Sequence, residues 1–76
     1  MADINRIKLV LGEKKRTNKW LSEQLGVTLS TVSKWCTNSS QPDFGNILKI
    51  ADLLEADIKE LFVREYKKYL LSQENK

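Results

Sequence analysis

The chain has no histidine and a single cysteine, Cys36. One thiol cannot form an internal disulfide, so packing alone has to stabilise the fold. The usual zinc sites and histidine-assisted nucleophiles are excluded as well, because both need side chains that the chain does not have. We therefore expect no metal, no cofactor and no enzymatic activity.

Long nonpolar runs are also absent, since no segment approaches the ~20 residues needed to cross a bilayer. The first residues, MADINRIK, do not contain the nonpolar core of a secretion signal. Both features predict a cytoplasmic protein without a membrane segment. With 76 residues, the chain has room for one small domain and one core.

Charge is distributed unevenly along the chain, although the net charge is only +3. Residues 1–42 contain seven Lys or Arg and three Asp or Glu, whereas residues 43–63 contain two and five. A basic half beside an acidic segment favours one face for a polyanion and another turned away from it. Ordinary solvated surface charge remains the alternative interpretation.

Nonpolar residues recur with the 3.6-residue period of α-helices, and no segment alternates with period two for long. The pattern predicts an all-α fold of five helices, with Gly26 ending the second helix. Asp57 and Glu60 match a capping box at the start of the fifth helix, which we expect to continue to about Leu71. The residues expected to cap the five helices are Asp3, Thr17, Thr28, Asp43 and Asp57.

One side of each predicted helix is nonpolar and is expected to face the core. Trp20 and Trp35 could instead stack on bases, but their position on nonpolar faces favours the core, as it does for Cys36. The expected core residues are Ile4, Ile7, Leu11, Trp20, Leu21, Leu25, Val32, Trp35, Cys36, Phe44, Ile47, Ile50, Ala51, Leu54, Ile58, Leu61 and Phe62.

The segment GVTLSTVSKWCTNSSQP contains seven Ser or Thr among its seventeen residues and only one charged side chain, Lys34. Residues 29–37 form the third predicted helix, with Val32, Trp35 and Cys36 in one sector and Ser30, Lys34 and Thr37 almost opposite. The outer face is therefore short, polar and nearly uncharged. Such a face can approach a DNA major groove closely and bond to base edges or phosphates.

Helix, glycine turn and helix follow one another in TNKWLSEQLGVTLSTVSKW, as in a helix-turn-helix. With Pro42 and the later nonpolar anchors, this arrangement resembles the Xre/Cro (lambda-repressor-like) family of bacterial and phage transcriptional regulators. The resemblance covers roughly residues 4–63 and implies a five-helix DNA-binding domain in residues 1–63. Residues 64–76 are then a helical extension and a frayed tail. The later anchors are Ile47, Ile50, Ala51, Leu54 and Leu61.

The resemblance also implies which residues contact DNA. Asn18 matches a phosphate-binding position at the start of the second helix, where Lys19 adds positive charge to free helical N–H groups. Residues of the third helix match positions that face the major groove, and residues of the following loop match positions that touch the sugar–phosphate backbone. The N-terminus of the third helix, at Thr28, offers free N–H groups to phosphate as the second helix does. The expected DNA-binding residues are Asn18, Lys19, Thr28, Leu29, Ser30, Thr31, Ser33, Lys34, Thr37, Asn38 and Ser40.

Two positions depart from the family pattern. Ser22 stands where alanine is common, so the packing between helices must accommodate a hydroxyl group. Leu29 stands where a base-reading glutamine is common, and the outer face of the third helix has no Arg, Asn or Gln. Sequence choice would then depend on Lys34, on the hydroxyls and on DNA shape.

These features predict a small transcriptional regulator, a repressor, that binds double-stranded DNA sequence-specifically through helices two and three. Tyr66, Tyr69 and Leu70 share a helical face, and related repressors often dimerise through the last helix, so a homodimer on DNA is expected. No small-molecule ligand is indicated. The alternative is an antitoxin-like module that binds a protein partner, although residues 64–76 are short for a partner-wrapping tail.

Overall fold

Four α-helices and one turn of 3-10 helix make up the computed structural model, which describes residues 3–63. The helices are α1 (Ile7–Glu13), α2 (Asn18–Leu25), α3 (Leu29–Cys36) and α4 (Phe44–Leu54), and the 3-10 turn is Ile58–Leu61. The all-α prediction is confirmed, whereas the count of five α-helices is not. The predicted continuation through Tyr66, Tyr69 and Leu70, and the division of the chain at residue 64, lie outside the described residues.

The predicted start of α1 is wrong, because Asp3 caps no helix and the helix begins at Ile7. The residues before it form an isolated antiparallel bridge, Asn5 with Phe62, at the end of the 3-10 turn. Arg6 N donates to the carbonyl of Leu61 at 2.7 Å, and Val63 N donates to that of Ile4 at 3.0 Å. This pairing takes Ile4 out of the helix on which its spacing from Ile7 had placed it.

Side-chain caps start the three longer helices as the sequence predicts. The hydroxyl oxygens of Thr17 and Thr28 and a carboxylate oxygen of Asp43 each accept from the backbone N–H three residues further on. Gly26 ends α2 with φ of +70°, in the left-handed region that glycine adopts without a steric penalty. The turn between α2 and α3 is therefore set by short-range chemistry that the sequence makes visible.

Twelve buried nonpolar side chains form one core between the helices. Phe44 was expected there, but its side chain is 69% exposed, since it lies in the first turn of α4 beyond the edge of the core. Ile58 is also exposed, and Trp20 and Leu25 only pack against the core from its margin. The core residues are Ile7, Val10, Leu11, Leu21, Val32, Trp35, Cys36, Ile47, Ile50, Ala51, Leu54 and Leu61.

Ser22 is buried in α2, and its hydroxyl group donates to the carbonyl of Lys19 at 2.8 Å. The hydroxyl is thus hydrogen-bonded within its own helix and needs no acceptor on α3, which packs beside α2. None of the helices in the described part of the chain is long and nonpolar enough to span a bilayer.

Candidate nucleic-acid interface

The two helices of the predicted helix-turn-helix, α2 and α3, pack directly against each other across the turn at Gly26. On α3, Val32, Trp35 and Cys36 are buried, which confirms the predicted core side. The remaining residues of the segment form what we call the outward face of α3. These are Leu29, Ser30, Thr31, Ser33, Lys34 and Thr37.

Every residue predicted to contact DNA lies at the start of α2, on α3 or its N-cap, or in the loop that follows α3. Four of them, Asn18, Thr31, Ser33 and Asn38, are half-buried. The other seven are exposed, and they include both lysines, neither of which forms an ion pair within residues 3–63. The exposed residues are Lys19, Thr28, Leu29, Ser30, Lys34, Thr37 and Ser40.

Hydrogen bonds within the protein occupy several of the threonine hydroxyls. Thr28 Oγ1 accepts from Thr31 N at 3.2 Å and lies 2.9 Å from Thr31 Oγ1. Thr37 Oγ1 donates to the carbonyl of Lys34 at 3.2 Å and lies 2.9 Å from Ser39 Oγ. These contacts fix the side-chain rotamers and reduce the number of hydroxyl hydrogens that an external acceptor could use.

Asn18 connects the start of α2 to the end of α3. Its Oδ1 atom accepts a weak hydrogen bond from Cys36 Sγ at 3.4 Å, which leaves Nδ2 as its free donor. Burial raises the pKa of the Cys36 thiol, and the charge of Lys8 opposes this shift in part. The thiol is therefore held neutral at physiological pH and serves as a donor to Asn18.

Asn38 holds the loop after α3 to the N-terminal segment, a role that the sequence did not reveal. Its Oδ1 atom accepts from the backbone nitrogens of Ile4 and Asn5 at 2.9 and 2.8 Å, and its Nδ2 donates to the carbonyl of Asn5 at 3.2 Å. Its φ is +62°, a left-handed conformation that asparagine tolerates. With its amide occupied in this way, Asn38 can offer DNA little more than backbone groups.

The buried side chain of Asn5 completes this network and was also missed. Its Nδ2 donates to the carbonyl of Trp35 at 2.9 Å and to Gln41 Oε1 at 2.8 Å. Its Oδ1 accepts from Ile7 N at 3.0 Å, so the same side chain meets the first residue of α1. The end of α3 is thereby fixed to the start of α1.

Arg16 adds a second positive side chain near the start of α2. Its guanidinium carbon lies 4.5 Å from the centre of the Trp20 ring, within cation–π distance. Stacking holds the charge against the surface while leaving its N–H groups free to reach an anion. Among residues 3–63, no group of three His, Cys, Asp or Glu side chains is placed to hold a metal ion.

Comparison with known proteins gives the same fold and the same helix pair. The family model of the Cro/C1-type HTH DNA-binding domain matches residues 6–67. A crystal structure of a putative DNA-binding protein from Bacteroides fragilis superposes with a TM-score of 0.78 at 50% sequence identity. The match covers 79% of this chain and 97% of that one. Among curated proteins, none matches the chain.

Proposed function

The chain belongs to the Cro/C1-type helix-turn-helix DNA-binding family, and from this membership we propose that it binds double-stranded DNA sequence-specifically by inserting α3 into the major groove. The observation that carries the proposal is the outward face of α3. This face holds one cation, no anion and only one large nonpolar side chain, Leu29. A major groove admits a helix of this kind, and short polar residues allow its backbone to approach the base edges.

Phosphate contacts are assigned to the N-terminus of α2. The first N–H groups of a helix have no intrahelical acceptor and carry partial positive charge, which suits an anion. Asn18 Nδ2, Lys19 and Arg16 surround this end and supply further donors. Thr37 and Ser40 border the loop after α3 and are assigned to the flanking sugar–phosphate backbone.

Base contacts are assigned to the outward face of α3. Lys34 is its only cation, and the hydroxyls of Ser30 and Ser33 have no hydrogen-bond partner within residues 3–63. These groups can bond to base edges, whereas the hydroxyl of Thr28 serves first as the helix cap. Sequence preference then comes from few direct contacts and from the shape of the duplex.

The proposed role in the cell is that of a bacterial transcriptional repressor acting in the cytoplasm, at the nucleoid. A helix pair of this size covers one half-site, so a homodimer on a two-fold symmetric operator is the arrangement that fits the family's geometry. Residues 64–76 are proposed as a C-terminal extension of the domain 1–63, with Tyr66, Tyr69 and Leu70 at the dimer contact.

Titration of the full chain with fluorescent random duplex DNA at several salt concentrations tests the proposal. The logarithm of the affinity should fall steeply with the logarithm of salt, by a slope of about 0.9 for each phosphate contacted. Lys19→Ala should lower this slope by the amount expected for one lost phosphate contact, about 1, and should leave the sequence preference unchanged. Lys34→Ala should change the preference among selected duplexes, because Lys34 is assigned to the bases.

Lys49→Ala is the matched control, since Lys49 is an equally exposed lysine on α4, outside the two interface helices. It should leave both the affinity and the salt slope unchanged. Absence of duplex binding at low salt would contradict the proposal and favour the antitoxin-like, partner-binding alternative.

A further inference from the structure

Leu29 is the one large nonpolar side chain on the outward face of α3. It occupies the first position of the helix, and its side chain is 48% exposed. It neither belongs to the buried core nor packs against the core from the margin, as Leu25 and Val27 do. Folding therefore does not explain why a leucine stands there.

The hydroxyls of Thr28 and Thr31, which flank Leu29 and Ser30 at the start of α3, are largely occupied. Thr28 Oγ1 caps the helix through Thr31 N, and the two threonine hydroxyls are bonded to each other. Since one hydroxyl hydrogen lies between them, the pair keeps a single hydrogen for any outside acceptor. The N-terminal turn of α3 thus presents the nonpolar side chain of Leu29, the hydroxyl of Ser30 and one remaining threonine hydroxyl hydrogen.

Apart from Lys34, α3 has no side chain of the types that commonly read a base with two hydrogen bonds. Guanine is usually read by Arg or Lys and adenine by Asn or Gln, and Leu29–Cys36 contains Lys34 as the only one of these. A nonpolar side chain distinguishes one group in the major groove, which is the C5-methyl group of thymine. The N-terminal residues of a recognition helix are the ones that reach the base edges.

We propose that Leu29 determines sequence specificity by packing against the C5-methyl group of a thymine at one fixed position of each half-site. The proposal rests on the proposed function, because it assumes that α3 enters the major groove. Ser33 lies one helical turn further along the same side, and its hydroxyl is available to a neighbouring base. The preferred ligand is then duplex DNA with a thymine at the position that Leu29 faces.

The expected size of the effect follows from the burial of one methyl group. Removing a methyl group from a nonpolar contact weakens binding about fourfold. Deoxyuridine pairs with adenine as thymidine does and keeps the O4 acceptor, so replacing thymidine by deoxyuridine removes only the methyl group. An effect on affinity therefore reports the nonpolar contact and no hydrogen bond.

The experiment begins with duplexes selected by the full chain from a random pool. Each thymidine of the best duplex is replaced in turn by deoxyuridine, and affinity is measured by fluorescence anisotropy. With the native chain, one position per half-site should lose about fourfold in affinity. With Leu29→Ala, the thymidine and deoxyuridine duplexes should bind equally, which isolates the pair in a double-mutant cycle.

Leu9→Ala is the matched control, since Leu9 is a 51% exposed leucine on α1. In this variant, the ratio of the affinities for the thymidine and deoxyuridine duplexes should be the same as in the native chain. Circular dichroism should show that Leu29→Ala remains folded, because Leu29 is outside the core.

Three results would overturn the inference. If selected duplexes bind and no deoxyuridine substitution changes affinity by twofold, Leu29 reads no methyl group, although the proposed function stands. If the deoxyuridine effect is unchanged in Leu29→Ala, another side chain makes the contact. If no duplex binds at low salt, the proposed function fails together with the inference, and a protein partner becomes the explanation for the exposed leucine.

Discussion

The side-chain oxygen of Asn38 lies 2.8 Å from the backbone nitrogen of Asn5, which is 33 residues earlier in the chain. This contact fixes the loop after α3 to the segment before α1. Asn5 in turn donates to the carbonyl of Trp35, on the last turn of α3. The C-terminal end of the proposed recognition helix is thus held in place by two asparagines.

Asn38→Ala should lower the free energy of unfolding by about 2–4 kcal/mol, because several hydrogen bonds of about 1 kcal/mol each are lost and alanine is strained at positive φ. Asn38→Gly removes the same hydrogen bonds without that strain, so it should be less destabilising than Asn38→Ala by about 1 kcal/mol. Urea denaturation of both variants measures the difference. Equal stability of the native chain and Asn38→Ala would contradict the role given to the network.

Ser22→Ala should change the free energy of unfolding by less than about 1 kcal/mol. The hydroxyl of Ser22 bonds within its own helix, and the loss of this bond is offset in part by the higher helix propensity of alanine. Leu21→Ala, at a fully buried neighbouring position, should cost about 2–5 kcal/mol. Thermal melts of the two variants test this contrast, and a large loss for Ser22→Ala would show that the hydroxyl has partners beyond α2.

The Cys36 thiol should react slowly with iodoacetamide in the native protein at pH 7.5 and rapidly in urea. Burial raises the pKa of this thiol, so the reactive thiolate is less populated than in the unfolded chain, and the side chain is also poorly accessible. In the native protein the rate should continue to rise with pH beyond the point at which an ordinary thiol is fully ionised, because the pKa of Cys36 is raised. A native rate equal to the denatured rate would show that the site opens or that the thiol is ionised.

Local chemistry made much of the fold readable in the sequence. The caps Thr17, Thr28 and Asp43 act within three residues, and Gly26 acts within one turn, so each is recognisable without knowledge of the rest of the chain. The core side of α3 was also predictable, because its three buried residues follow the helical period.

Long-range contacts were not readable in this way. Ile4 shares a helical period with Ile7, but its segment pairs with residues 61–63 and is not helical. Asn38 was expected only as a polar loop residue that contacts the DNA backbone, yet its amide binds the segment before α1. Phe44 fits the nonpolar period of α4 and is nevertheless exposed, since it is the first residue of that helix and lies outside the core.

The central claim is that DNA contacts the start of α2 and the outward face of α3. The most direct test is to titrate the ¹⁵N-labelled full chain with a selected duplex and to follow the backbone amides by NMR. Chemical shifts should change at the start of α2, around Asn18 and Lys19, and along Leu29–Lys34 of α3. The chemical shifts of amides near Leu48 and Ile58, on α4 and the 3-10 turn, should stay unchanged. Saturable shifts confined to α4 and the 3-10 turn, with Leu29–Lys34 unchanged, would contradict the account.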